Sequence, residues 1–397
     1  MKTRIEEHSA EICGRVVALR RDFHRHPEMG YQEKRTAKIV ADTLREWGIE
    51  AREGVAQTGV VGTIHGNGPG KVLMLRADMD ALPIQENTGL DYSSQTPGVM
   101  HACAHDGHTA NLLGVAYLLQ KMRDSWPGTV KLLFQPSEEY NNAAAKVVAA
   151  GVLENPAVDC ALGMHLWGPC PKGEVYLREG PLMASPGRFT VKLTGKGGHA
   201  SRPDTAVNPV DMAAAAIQAI RGMMSTSFSP FDDSVLTFCA MHGGNSYNII
   251  PESVELEGTI RTFDLALAER IVAMMDKTLA SVAQMYGGGF ELQYDDEGIP
   301  PVYNDPVLSK VVRNAAEKML SPDKVHTMAE PDMGADDFAI YSQKVPSVYL
   351  FMGIADDSDN KPLHHNPRFA WQDDVLLQSM RVMAMAALDM LHHGRLA

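Results

Sequence analysis

The stretch GVMHACAHDGHTANLL, residues 98–113, places His101, Cys103, His105, Asp106 and His108 within eight positions and then turns apolar. Thiolate, imidazole and carboxylate are the ligands that zinc and related divalent ions take. A Cys-x-His pair alone is equally compatible with packed or capping side chains, so its partners have to come from elsewhere in the chain. Four further groups qualify: Asp78 and Asp80 in LRADMD, the tandem Glu138 and Glu139 in FQPSEE, His165 in GMHLW, and the paired His364 and His365 in PLHHNP. Adjacent residues on an extended chain point to opposite sides. If the two glutamates follow the end of a strand, one carboxylate can bind metal while its neighbour stays free. A free carboxylate beside a metal-activated water is the arrangement that general-base hydrolysis requires.

These groups converge only if they close neighbouring parallel strands, because ligands of open α/β sheets sit beyond the carboxyl ends of the strands. VLMLRADMD, VKLLFQPSEE and CALGMHLW read as buried strands ending in polar residues, with helical patterns in TANLLGVAYLLQKM and KVVAAGVL between them. From about residue 185 the rhythm changes. FTVKLTG, PVDMAAAAIQAIRGMM, SVLTFCAMHG, SVELEGTIRTF, AERIVAMMDKTLASVAQMYG and FELQY follow one another in the β-α-β-β-α-β order of a split βαβ, ferredoxin-like unit. PVLSKVVRNAAEKML, SVYLFMG and LLQSMRVMAMAALDMLHH then return to helix, buried strand and helix. The expected fold class is α/β: residues 1–185 and 298–397 form a body with a mostly parallel sheet, and residues 186–297 are a smaller α+β domain inserted into it.

A length of 397 residues fits two or three units at roughly 150 residues each. A formal charge of −13 without any Lys/Arg-rich run excludes a nucleic-acid surface and points to small-molecule or protein partners. The N-terminus alternates charged and apolar residues at helical spacing and has no apolar core of signal-peptide length, and no window suggests a membrane span. Five scattered cysteines, Cys13, Cys103, Cys160, Cys170 and Cys239, fit a reduced, cytoplasmic protein. A redox role for Cys103 lacks a nearby resolving cysteine.

RRDFHRHPEMGYQE, LRADMDALPI, MHACAHDGHTA, FQPSEE, GMHLW, GKGGHASRP, NIIPESVELEGTIRTF, MGADDFAIY and LHHNPRF run nearly end to end. In that order they resemble the aminoacylase-type dinuclear metallopeptidases. Within these, the likeness is to the amidohydrolases that act on hippurate, other N-acyl amino acids and indole-acetyl amino acids. The resemblance implies a phosphorylase/hydrolase-like catalytic domain with an inserted lid and dimerisation domain. It implies two divalent ions per subunit (zinc, manganese, cobalt or nickel) held by Cys103, His105, Glu139, His165 and His365. His365 is preferred to His364 because the family's ligand precedes a short Ser/Asn-Pro turn, matched by Asn366-Pro367.

By the same resemblance Glu138 is the general base, and Asp80 orients a ligand. His199 of the inserted domain stabilises the oxyanion in a neighbouring subunit, and Asn248 and Arg261 contact the substrate and its free carboxylate. Asp106 and His108 have supporting roles, and Asp78 stands where other branches carry a metal histidine. The implied reaction is hydrolysis of an N-acyl amino acid in a homodimer or larger homo-oligomer, with a dipeptidase or aminopeptidase as the alternative and a non-catalytic metal-binding protein as a third reading. One departure bears on the substrate. Relatives carry glycines after the two glutamates where this chain has Tyr140-Asn141-Asn142-Ala143, so the adjoining loop is expected to be reshaped.

Overall fold

The computed structural model describes residues 1–140, 143–356 and 363–393. Asn141 and Asn142, on which the altered loop turns, lie outside the described residues. The chain divides into two compact units: Met1–Leu182 with Val302–Pro331 and Asp336 onward, and Met183–Pro301 with Asp332–Ala335.

The larger unit is built on an eight-stranded sheet in the order Glu50–Val55, Gly59–His65, Thr129–Gln135, Val72–Asp78, Cys160–Pro171, Ser347–Ala355, Val175–Leu177, Val325–Thr327. The four strands from Thr129–Gln135 to Ser347–Ala355 run parallel, as their unbroken apolar runs predict. Val72–Asp78 and Ser347–Ala355 are buried at every position, which a strand covered on both faces requires. The sheet is not uniform. A hairpin of Glu50–Val55 and Gly59–His65 joins it antiparallel, and Val175–Leu177 reverses direction against Ser347–Ala355.

Helices Lys2–Arg25, His105–Lys121 and Val375–His392 pack on one another, and His105–Lys121 also packs on Val72–Asp78. That helix is buried almost all round, so its amino end is held rigidly at the sheet edge. No helix among the described residues is long and apolar enough to cross a membrane.

The smaller unit has the antiparallel order Ser234–His242, Ser253–Thr262, Ser185–Thr194, Gly289–Asp295, with helices Pro209–Ser227 and Leu265–Tyr286 supplying its core. This is the ferredoxin-like arrangement expected from the βαββαβ pattern. Asn208 and Asp264 cap the two helices, each side chain accepting a backbone N–H two residues on.

One glycine of the large sheet ties packing to the site. Gly163 lies opposite Tyr349, and a Cβ there would stand 2.5 Å from Tyr349 Cδ2 and 2.9 Å from Phe338 Cε2. The space it leaves lets the Tyr349 hydroxyl donate to Asp336 Oδ2 at 2.5 Å. Gly163→Ala is therefore expected to lower stability by about 1–3 kcal/mol, an overpacking cost measurable by urea denaturation.

Candidate metal centre

The loops at the carboxyl ends of the parallel strands bring Cys103, His105, Glu138, Glu139, His165 and His365 together. Cys103, His105 and His165 offer ligand atoms all within 4.8 Å of one another, as do Cys103, Glu139 and His365, and His105, Glu138 and Glu139. Cys103 is common to the first two sets and Glu139 to the last two. Three overlapping sets suit two adjacent ions better than one.

Two of the three imidazoles, those of His105 and His165, are oriented by Nδ1. His105 Nδ1 donates to Asp80 O at 3.0 Å and faces Asp80 Oδ1 at 3.2 Å, and His165 Nδ1 donates to Leu166 O at 2.9 Å. This leaves both Nε2 lone pairs turned to the centre, where His165 Nε2 lies 3.5 Å from Cys103 Sγ. Asp80 also accepts the Glu139 N–H on Oδ2 at 3.1 Å, so one carboxylate steadies two of the expected ligands.

His108 is excluded from the centre by the same accounting. Its Nδ1 donates to Asp78 Oδ1 at 2.7 Å, and its Nε2 accepts the Leu166 N–H at 2.9 Å. His364 donates Nε2–H to Leu166 O at 3.0 Å and packs among His165, Trp167 and Phe369. The exposed His365, by contrast, brings Nε2 to 3.1 Å from Glu139 Oε1. Glu139 Oε1 also lies 3.9 Å from His105 Nε2, so this one carboxylate oxygen faces two imidazoles. Ligand atoms gathered this closely fit the shell of a cation. Asp78 reaches Arg76 at 2.6 Å and the two histidines behind the ligand atoms, and so acts as a support.

The electrostatics point the same way. Burial drives the Cys103 thiol well above its usual range, and the charges of Glu139, Glu138 and Asp78 add to this. Burial opposes charging of His105, but Asp78, Asp80 and Glu139 outweigh it and raise the ring to about 10. The cluster carries more negative charge than its own cations neutralise, which is the deficit that divalent ions would fill.

Three loops hold non-glycine residues in the left-handed region: Ala104 (φ 65°) before the helix His105–Lys121, Ser137 (φ 52°) before the glutamates, and His365 (φ 60°). Such conformations persist where surrounding bonds enforce them. His365 N–H donates to Ala102 O at 2.8 Å. Ser137 N–H donates to Glu33 Oε1 at 2.8 Å, while Glu33 Oε2 accepts the Thr58 hydroxyl at 2.6 Å.

Glu33 was not among the residues expected from sequence, nor was the fully enclosed charge system behind the centre. Arg76 donates to Asp78, to Asp337 at 2.7 Å and to Gln135 at 3.0 Å, and its Nη2 lies 3.3 Å from Asp336. Asp337 N–H in turn faces Glu138 Oε1 at 3.4 Å. The motifs LRADMD and MGADDF contain these groups, but only the fold pairs them. A second buried system joins Arg20, His24 and Asp106, so the residue beside His105 is held by the N-terminal helix.

The smaller unit carries the other three expected residues. His199 pairs with Ile249 in a short ladder, and Ala200 N–H donates to Asn248 O at 3.1 Å, which brings His199 and Asn248 together. Arg261 lies apart from them, on the strand Ser253–Thr262 opposite Pro186.

An α/β sheet that presents a Cys/His/Glu cluster at its strand ends, with one carboxylate left free, defines a metallohydrolase. Comparison with known proteins gives the family. Residues 74–389 match the peptidase family M20/M25/M40, and the chain belongs to that family. It is 37% identical over 382 residues to thermostable carboxypeptidase 1 of Saccharolobus solfataricus, covering 95% of this chain and 96% of that protein. It is 37% identical over 379 residues to N-acetylcysteine deacetylase of Bacillus subtilis, covering 95% and 97%. The crystal structure of the Bacillus subtilis YXEP protein, a dinuclear metal-binding peptidase of the M20 family, superposes with a TM-score of 0.81 at 34% identity, over 96% of this chain and 99% of that one. The protein is a metal-dependent hydrolase of amide bonds.

Two measurements test the site. His365→Ala should lower the metal bound per subunit, as read by elemental analysis, while His364→Gln should leave it unchanged. Glu33 gives a pH signature. Burial, aided by Asp80, raises its carboxyl from 4.5 to about 7. Between those values the folded protein keeps a proton that the unfolded chain has released, so this group's contribution to stability falls as pH rises through the window. Glu33→Gln should remove that slope, and its stability relative to the parent should grow by up to ~3 kcal/mol across the window in urea titrations.

Proposed function

We propose that the protein hydrolyses N-acyl amino acids to a carboxylic acid and a free amino acid, with Glu138 as general base and Cys103, His105, Glu139, His165 and His365 as ligands of two divalent ions. Zinc, manganese, cobalt and nickel all suit this mixed donor set. When bound, the ions would lower the pKa of a shared water and polarise the scissile carbonyl.

The observation that carries the reading is the state of Glu138. It lies within 4.8 Å of His105 and Glu139, and its nearest hydrogen-bond donor among the described residues is the Asp337 N–H at 3.4 Å. Burial raises its proton affinity, and so do the charges of Asp336, Glu139 and Asp337. A carboxylate so placed can take a proton from the attacking water and pass it to the leaving nitrogen. Asp80 keeps the His105 ring and the Glu139 backbone in position throughout.

His199 is suited to the oxyanion. Its Nδ1 accepts the Ser201 N–H at 3.1 Å, so the neutral ring carries its proton on Nε2, ready to donate. In this reading it acts in a neighbouring subunit of a cytoplasmic homodimer. Arg261 makes no ion pair and no side-chain hydrogen bond among the described residues, which leaves its fork for the free carboxylate of a substrate. Asn248 Oδ1 accepts the Ser246 hydroxyl at 2.6 Å and leaves Nδ2 to donate.

The names of the relatives favour one bond class. A deacetylase of N-acetylcysteine and a carboxypeptidase both cut an amide whose nitrogen belongs to a residue with a free α-carboxylate. The carboxypeptidase supports a second reading, removal of a C-terminal residue from a short peptide at the same site. A panel of acetyl-, benzoyl- and indole-acetyl-amino acids and of free and blocked dipeptides, run with each metal, separates the two. Glu138→Gln should reduce turnover about 10²–10⁴-fold with metal content retained. A fully active variant would sink the assignment.

A further inference from the structure

A second cavity of the larger unit lies away from the metal centre. Because Val175–Leu177 runs antiparallel to Ser347–Ala355, its carboxyl end and that of its parallel neighbour Val325–Thr327 face the sheet edge opposite the metal-binding loops. There Arg178, Ser309, Arg313 and Thr327 line a cavity of about 300 Å³.

Its polar groups are left incomplete. Ser309 is 2% exposed, and its Oγ has no hydrogen-bond partner. Arg178 donates Nη1 to Met328 O and Ala329 O, but its buried Nε has no partner, and it forms no ion pair among the described residues. Arg313 donates Nη2 to Thr327 Oγ1 at 2.6 Å, so the Thr327 hydroxyl has its own hydrogen free to donate. Two carboxylates stand nearby. Glu179, which lines the cavity, lies 4.0 Å from Lys310 Nζ, and Glu317 lies 3.8 Å from Arg313 Nη1. With Lys310 counted, three cations face two anions, and Arg178 is the one left over.

Buried donors without partners cost stability unless something occupies them. A guanidinium fork with two hydroxyls is the donor set that holds phosphate or carboxylate oxygens. We infer that this cavity is a binding site for a small molecule anchored by an oxyanion, separate from the metal centre.

The test is calorimetric titration of the metal-loaded protein with inorganic phosphate, sulfate and acetate at constant ionic strength, repeated on Arg178→Gln and Ser309→Ala. In the parent protein a saturable site is expected in addition to any binding at the metals, weakened about tenfold or more in Arg178→Gln. Preference for phosphate and sulfate would assign a tetrahedral group, and preference for acetate a planar one. Ser309→Ala guards against misfolding. Because Ser309 Oγ has no partner to lose and its burial is unfavourable, this variant should unfold at the same or a higher urea concentration than the parent when no oxyanion is present, yet gain less from added phosphate. Titrations identical in the parent and both variants, or a stabilisation that chloride reproduces, would overturn the inference.

Discussion

The geometry of the metal-binding loops depends on the Arg76 guanidinium. It is fully enclosed, and three carboxylates and an amide from separate parts of the chain converge on it. Each of these partners has a second task. Asp78 fixes His108, whose Nε2 in turn accepts the Leu166 N–H beside His165. Asp337 accepts two N–H bonds from Gln135 and one from the Ala144 backbone just past the glutamate loop. Asp336 receives the Tyr349 hydroxyl from the neighbouring strand. A buried ion system of this kind adds little net stability against an apolar core of equal volume, but loss of its central cation would leave several charges unpaired. Its value lies in geometry, since it ties the ends of the strands Val72–Asp78 and Thr129–Gln135 to the Asp336–Asp337 segment.

That rigidity explains how flexible ligand types can be held ready. An imidazole is fixed in one tautomer and one orientation, with one nitrogen open to metal, when the other is committed, and here His105 and His165 commit Nδ1 to oxygen acceptors within 3.0 Å. The same logic removes His108, whose chemistry is identical but whose two nitrogens are both used. Left-handed backbone at Ala104, Ser137 and His365 then aims the loops in directions that regular structure could not.

Much of this was legible in the sequence. The strands VLML, VKLLF and CALGM could be read because strands buried on both faces leave unbroken apolar runs, and their polar ends followed directly. The ferredoxin-like unit was legible because its elements are local and regularly alternating. Three things were not. The reversal of Val175–Leu177 involves three residues, too few for any periodicity to show. The pairing of Arg76 with Asp337 spans 261 positions and carries no local signal. Glu33 looks like an ordinary helix-entry glutamate, and only the packing of Ser137 and Thr58 against it gives it a role. The choice between His364 and His365 rested on family likeness, because two adjacent histidines have the same chemistry until the fold brings one of them, His365, beside Cys103 and Glu139.

The tandem glutamates make the strongest case for reading a site by environment rather than by residue type. Glu138 and Glu139 are neighbours in sequence and identical in chemistry. Burial disfavours charge on both, yet His365 and His105 beside Glu139 overcome this and hold it ionised, as the metal-ligand role proposed for it requires. Glu138 faces Asp336 and Asp337 instead, and these drive its affinity for a proton upward. Environments that push two like groups apart divide the labour of acid–base chemistry between them. One step along a chain that has just left its strand is enough to turn the two carboxylates toward opposite fields, so the division originates in the end of the strand at Gln135 and the left-handed turn at Ser137.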